Sequence, residues 1–400
     1  MRVLMITPYL PYPLLSGGQT RTYNLLKKLA KKHQITLFSF IRDEKEKAYI
    51  GELVNLGISV EVFKRRPAWQ LLNILLAGFS WYPFLVSIYL SNSLRKRLEK
   101  ELSSESYDVV HAEPFYVVPN LPHSKLPLLL VDQTIEFKVY QHFVEKFKYW
   151  FLKPFLYFDV FKVKHWEINY WKMADRVVAM SEDDLKIMRQ FVPNLKVDIV
   201  PNGVDSKYFD RDNPENAVFK KVTHDPVILY VGSCTWLQNR EAIEILYFKV
   251  WPKILEKLPN AKLWIIGKSA DHFFGHLRSS KIRVDEVADI REAYFGASVM
   301  VAPIYGSGGT RYKNFEAFAS SLPVVTTSIG IGGIDCLDGR DVIIRDDPAD
   351  LAQMAVKLIE DKTLYQKIAA NAKKLVGEKY DWDSISEHLS RIYDELGSKK

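Results

Sequence analysis

Two tandem doubly wound α/β domains are the fold that this sequence predicts, and three observations predict it. At 400 residues the chain exceeds one ordinary core, so two domains of roughly 150 to 200 residues are expected. Short β-rich runs alternate with amphipathic helical stretches, the pattern of a parallel sheet covered on both sides. The alternation then breaks at a polar connector and restarts on a fresh first strand. With hydrophobic residues at 48 %, each half can bury its own core.

In order, the first half offers VLMIT, ITLFSF, VEVF, DVVHA, LLLVD, RVVAM and DIVPN as strands. Their β-branched and aliphatic content fits a buried sheet. Between them lie helices such as Thr20 to Lys32, with Leu25, Leu26 and Leu29 on one face and lysines on the other. The connector DRDNPENAVFKKVTHDP is rich in turn formers. VILYVGS, KLWIIGK, IRVDEV, VMVAPI, PVVTT and DVIIR then follow as the second set of strands. The boundary is expected near residues 205 to 222, giving domains 1–205 and 206–380 with a last helix in 381–400. Tandem domains of this kind usually face each other across a cleft, with ligands outside the carboxyl ends of the strands. Three loops follow strands and are glycine-rich or polar: SGGQTR, GSCTWLQNR and GSGGTRYKN.

GSGGTRYKNFE, residues 306 to 316, puts three glycines in four positions before an Arg, a Lys and a Glu. Strand, glycine loop and helix N-terminus together turn backbone N–H groups and a partial positive charge toward one point, which suits a phosphate or pyrophosphate. Thr310 is the natural N-cap, placing Arg311 and Lys313 in the first turn, where the helix dipole disfavours cations and an anion would relieve the cost. Lys313 and Glu316 share a helix face, so one can meet phosphate while the other accepts from a diol such as a ribose. The plainer alternative is a structural turn with a first-turn Lys–Glu pair. SGGQTR is a second glycine turn and not G-x-G-x-x-G, so it gives little support to a dinucleotide site.

Several classes are set aside. Cys234 and Cys336 are too few for a disulfide framework and lack zinc spacing, which fits a reducing, cytoplasmic setting. MRVLMITPYLPYP reads as a buried first strand, not as a signal peptide. Trp69 to Ser93 is apolar but interrupted by Asn73, Gly78 and Pro83, so a core or interfacial helix pair is expected rather than a spanning helix. The formal charge of +7 favours anionic partners, and without a zinc-finger or RNA-recognition pattern no nucleic acid is expected. Asp210-Arg211-Asp212 spells a metal motif but lies in the connector, where a solvated turn is expected.

The residues also resemble a known family. MADRVVAMSEDDLKIMRQF with VDIVPNGVDSKYF, VILYVGSCTWLQNREAIEIL with PNAKLWIIG, and VADIREAYFGASVMVAPIYGSGGTRYKNFEAFASSLPVVTTSIGIGGI are similar, in this order, to the GT-B glycosyltransferases of family 4. The resemblance implies a GT-B architecture of two Rossmann-like domains and sugar transfer from a nucleotide-diphosphate sugar, UDP- or GDP-linked. It implies retention at the anomeric carbon, no metal, and a glycan or lipid-linked acceptor in cell-surface polysaccharide or glycolipid synthesis. It places Glu316 on the acid that holds the donor ribose, and Gly17 and Gly18 on a loop approaching the donor phosphates. Val287 and Asp289 fall beside the base, and the last helix, Trp382 to Leu396, is expected to return toward the first domain.

Gly308 stands where the family has its first Glu, and no cation stands at Ser233 or Gln238, where the family carries Arg and Lys. A diphosphate leaving group still needs countercharge, so Arg311 and Lys313, with Gly308, Gly309 and Thr310, are expected to supply the donor site. By resemblance DVVHAEPF carries the acceptor-side catalytic position, at His111 or Glu113; a hydrogen-bonded strand-end histidine is the alternative for His111. Asp132 and Glu136 are expected to point toward the cleft. Residues 137–171, rich in aromatics and lysines, suit an anionic membrane surface or a helix pair packed on the first domain. Two rival functions remain open: an inactive nucleotide-sugar-binding scaffold, and a GT-B epimerase, which needs no acceptor.

Overall fold

β1 (Arg2–Thr7) is buried from Val3 onward and takes a parallel neighbour on each side, as expected of an aliphatic strand at the centre of a doubly covered sheet. The computed structural model describes residues 1–103, 106–217, 225–306 and 311–398. They form two units, Met1–Pro201 with Ile385–Lys400, and Asn202–Ser384. The division falls slightly before residue 205 because the chain after Pro201 joins the second unit. Val204 N donates to Tyr380 O, and Ser206 N donates to the Asp381 carboxylate.

In the first unit β1, β2 (Gln34–Ile41), β3 (Ser59–Lys64), β4 (Val109–Ala112), β5 (Leu128–Val131), β6 (Arg176–Ala179) and β7 (Val197–Ile199) form one parallel sheet in the order β3-β2-β1-β4-β5-β6-β7. Leu4, Ile6, Phe38, Phe40, Val110 and Leu130 pack on one face against Phe115, Val163 and Trp171. The first helix spans Gly17–Leu29, not Thr20–Lys32, because Ser16 caps it by accepting from Gln19 N at 3.3 Å. Ser-x-x-Gln is a capping signature, so Gly17 and Gly18 lie in a helical first turn. Within this unit the last helix, Trp382–Gly397, contributes Ser390 to His33 at 2.8 Å and Tyr393 to His111 at 2.6 Å.

In the second unit β8 (Val227–Val231), β9 (Lys262–Ile266), β10 (Ile282–Asp285), β11 (Val299–Ala302), β12 (Val324–Thr326) and β13 (Ile343–Ile344) form a parallel sheet in the order β10-β9-β8-β11-β12-β13. Ile228, Tyr230, Leu263, Ile265, Val301 and Val325 make the core on one side, and Leu229, Trp264, Met300, Phe315 and Phe318 on the other. Both sheets reverse their order beside their first strand, at β1/β4 and at β8/β11. Loops after these strands therefore open into a crevice at the carboxyl edge, the place where α/β sheets bind ligands.

Candidate functional site

The crevice of the second unit is built by the turn after β8 and the helix after β11. That helix runs Tyr312–Ala319 and starts at Arg311, which occupies the N-cap position without a side-chain cap. Thr310, expected there, lies outside the described residues, as do Gly308 and Gly309. Lys313 is therefore the second residue of an uncapped helix, where its charge opposes the helix dipole. Its Nζ donates to Asn239 Oδ1 at 3.0 Å and to Tyr230 Oη at 3.2 Å, and sits 4.4 Å from the Tyr230 ring centre. Asn239 also donates to Ser233 O at 2.9 Å, which fixes the turn after β8 around the ammonium. Gly232 is part of the fit, since a Cβ there would stand 2.8 Å from Lys313 Nζ.

Electrostatics make this a poor place for an unaccompanied cation. Burial first, and the Arg311 guanidinium second, push the Lys313 ammonium down to about 7, against the pull of Glu316 and Cys234. Arg311 donates from Nη2 to Gly306 O at 2.8 Å, while its buried Nε has no hydrogen-bond partner among the described residues. An ammonium has three donors, and two of those on Lys313 are used here. Two crowded cations with donors to spare are a chemical fit for an anion. Cys234 is buried beside them, and burial raises its thiol to about 11.

One turn deeper, Glu316 accepts from Tyr294 Oη at 2.6 Å, and burial raises its carboxyl above the usual range. Val287 is half-buried against the same core. Asp289 is engaged by Arg291, with Nε at 3.0 Å, and the guanidinium of Arg291 lies 3.9 Å over the ring of Tyr208. Asp210 and Asp212 both receive Lys373 Nζ, at 2.7 and 2.8 Å, so a lysine bridges the Asp-x-Asp pair. No cluster of three metal-ligating side chains occurs among the described residues.

The crevice of the first unit has a buried polar floor. His111 and Glu113 are each 1 % exposed, so in this conformation neither presents a surface to a substrate. Glu113 accepts from Gln133 Nε2 at 2.8 Å, lies 3.5 Å from Arg21 Nε and 3.7 Å from His111 Nε2. Burial, with Arg21 nearby, holds the His111 imidazole neutral, down to about 3, and burial raises the Glu113 carboxyl. Arg21, 1 % exposed, reaches from the first helix to Pro201 O at 2.6 Å. Gln133 also donates to Tyr9 Oη at 2.9 Å, and a Cβ on Gly18 would lie 2.1 Å from that oxygen. Gly18 is thus required by the close approach of Tyr9 to the helix.

Asp132, expected to face the cleft, instead points into the core. It accepts from Phe115 N at 3.1 Å and Trp171 Nε1 at 2.5 Å. Its strand end is overlaid by the helix Lys153–Met173, which delivers Trp171 and also Glu167, the acceptor for Glu136 N and Phe137 N. Glu136 is half-buried at the start of the capped helix.

Sequence reasoning missed Asn239, Tyr230 and Tyr294, each ordinary until a partner distant in sequence arrives. Arg21 carried a signal, because it lies four residues before Leu25 on the apolar face of its helix and so had to be buried.

Comparison with known proteins agrees with this architecture. A family model described as glycosyl transferases group 1 matches residues 225–361, and one for glycosyltransferase family 4 matches residues 15–208. An uncharacterised 44.6 kDa protein of the cps region of Klebsiella pneumoniae is 22 % identical, over 98 % of this chain and 99 % of its own. The capsular polysaccharide biosynthesis glycosyltransferase CapM of Staphylococcus aureus is 28 % identical, over 48 % of this chain and 53 % of its own. Sucrose-phosphate synthase from Thermosynechococcus elongatus superposes with a TM-score of 0.68 at 15 % identity, covering all of both chains. Anabaena HepE, in complex with UDP and glucose, superposes at 0.65 and 15 % identity, covering 98 % of this chain and 99 % of its own. The two family models between them span most of the chain, in the order of its two sheets, and the chain is a GT-B glycosyltransferase of group 1.

Proposed function

We propose that this glycosyltransferase is a retaining enzyme that moves a sugar from a UDP- or GDP-linked donor to a glycan or lipid-linked acceptor in cell-surface polysaccharide or glycolipid synthesis. The observation that carries the reading is Lys313 and Glu316 on one helix at the β8/β11 crevice, one presenting a crowded ammonium and the other a carboxylate. Arg311 and Lys313 meet the diphosphate and take up the negative charge that builds on it as the glycosidic bond breaks. Glu316 accepts from the ribose diol, and Val287 lies beside the base. Gly308, Gly309 and Thr310, which lie outside the described residues, are kept in the donor site on the sequence reading alone.

In the first unit the reading keeps Gly17 and Gly18 as backbone for a phosphate. His111 and Glu113 are assigned a positioning role, since their burial holds Arg21, Gln133 and Tyr9 in place. The capsular CapM and the cps-region protein among the relatives favour a surface polysaccharide as product. Residues 137–171 would bring the enzyme, working at the cytoplasmic face, to an anionic membrane that carries the acceptor.

Calorimetric titration with UDP and with GDP, on the parent and on Glu316→Ala, tests the donor site. The expected result is binding of one nucleotide, weakened about tenfold or more without the carboxylate. Binding that is indifferent to Glu316 would overturn the assignment.

A further inference from the structure

One helix of the first unit is inside out, and a second carries an outward aromatic stripe. The helix Leu71–Phe79 has the sequence LLNILLAGF, and its single buried residue is the polar one, Asn73, whose Nδ2 donates to Pro67 O at 2.8 Å and Ala68 O at 3.1 Å. Leu71, Leu72, Ile74, Leu75 and Phe79 face outward, with Phe79 90 % exposed and Trp69, just before the helix, 81 % exposed. The helix Lys153–Met173 buries Lys162 and Glu167 alongside Val160, Val163 and Trp171, while Phe155, Phe158 and Phe161 stand out, and Trp150 ahead of it is 79 % exposed. In water such an arrangement wastes the apolar area that helices ordinarily bury.

The two are one construction. Lys162 Nζ donates to Ala77 O and, at 3.1 Å, to Tyr82 O. Asp159 accepts from Phe84 N at 2.9 Å, and Trp166 Nε1 donates to Trp81 O at 2.7 Å. These polar ties seat the turn after Leu71–Phe79 on the longer helix and place the Trp81 ring 6.3 Å from Phe158 and 6.2 Å from Phe161. Outward leucines are thus held by inward polar groups.

We infer that Trp69 to Trp81, together with Trp150 to Phe161, is a docking surface for an anionic phospholipid bilayer, with the Leu71–Phe79 helix lying in the interface and its leucines and Phe79 among the acyl chains. This rests on the membrane reading given above for residues 137–171 and adds to it a second insertion element that precedes it by more than fifty residues. The charge around the patch selects this occupant. No acidic residue lies between Glu61 and Glu99, where Lys64, Arg65, Arg66, Arg95 and Lys96 do; Arg97, in the same stretch, is paired with Glu61 and Glu101. None lies between Glu145 and Asp159 either, a stretch that carries Lys146, Lys148 and Lys153. A one-signed cationic margin repels a second copy of itself and attracts anionic headgroups, and Trp, Phe and Leu are the side chains that settle at that depth. Among the described residues no helix is long and apolar enough to cross a membrane, so the contact is one of lying on the surface.

Flotation of the full chain with phosphatidylcholine vesicles, and with vesicles also containing phosphatidylglycerol, tests this. The parent is expected to float with the anionic vesicles and to be released by salt. Trp69→Ser/Phe79→Ser is expected to lose about tenfold or more in partitioning while keeping nucleotide binding, which shows that it folds. Flotation that survives in this variant but is lost in Trp150→Ser/Phe155→Ser would overturn the inference and leave the reading of 137–171 standing. A parent that never floats would overturn both. Dimers in sedimentation without lipid, dispersed by Trp69→Ser/Phe79→Ser, would show that a second copy covers the patch and would overturn the inference as well.

Discussion

Lys313 Nζ and Asn239 Oδ1 stand 3.0 Å apart, and this contact joins the helix after β11 to the helix Leu237–Ile245 that follows the turn after β8. Asn239 spends its other side-chain atom on Ser233 O, so the position of the ammonium and the shape of the turn are set by one residue. The sequence lacks cations at 233 and 238; Lys313 brings one beside the same turn from the helix that follows the neighbouring strand.

Asn239→Ala is therefore expected to weaken nucleotide-diphosphate binding by about tenfold, the worth of a hydrogen bond to a charged group, without unfolding the protein. Calorimetry reads the affinity and a thermal melt reads the fold. A loss confined to the melt, with affinity intact, would show that Asn239 serves only the turn.

Donor binding should depend on pH through Lys313. Burial and Arg311 bring its ammonium down to about 7, so the free protein loses this charge as pH rises through neutrality. Nucleotide affinity is expected to fall across that range, and an anion bound at the ammonium favours its protonation, so binding near pH 7 to 8 takes up a proton. Titration in two buffers of different ionisation enthalpy measures that uptake. Lys313→Arg keeps a cation throughout and should flatten the profile. A parent profile already flat from pH 6 to 9 would remove Lys313 from the donor site.

Much of this molecule could be read from the chain alone, for physical reasons. A parallel sheet buried on both faces imposes continuous aliphatic runs, and those runs appear in the sequence as VLMIT, VILYV and VMVAPI. Where a side chain points was less legible. His111 lies one residue before the end of β4 and Asp132 one residue after β5, and the sequence leaves open whether such residues face solvent or core. The distant Tyr393 and Trp171 decide it, by holding each inside. Gly17 and Gly18 read as a turn in SGGQTR, and the cap from Ser16 draws them into the first turn of the helix instead. The Leu71–Phe79 helix has the composition of a core element and the exposure of a surface one, and only the structure shows that Asn73 is its inward face.

Two buried acids and one half-buried acid of the first unit give the protein a pH-dependent stability of definite sign. Burial raises Asp132 to about 7 and Glu136 to about 7, and raises Glu167 well above its usual range. A carboxyl raised by folding keeps its proton in the native state after the unfolded chain has released it. Its contribution is complete below the unfolded pKa of about 4 and fades as pH rises through about 7, on the order of 1 kcal/mol per pH unit for each group. Melting temperature is thus expected to fall between pH 5 and pH 8. Asp132→Asn, which resembles the protonated acid, should retain a shallower slope because Glu136 and Glu167 remain. Melts of parent and variant in a common set of buffers compare the two slopes. Parallel curves would mean that Asp132 is already charged in the folded protein at pH 5, stabilised by Trp171 and Phe115 more strongly than burial penalises it.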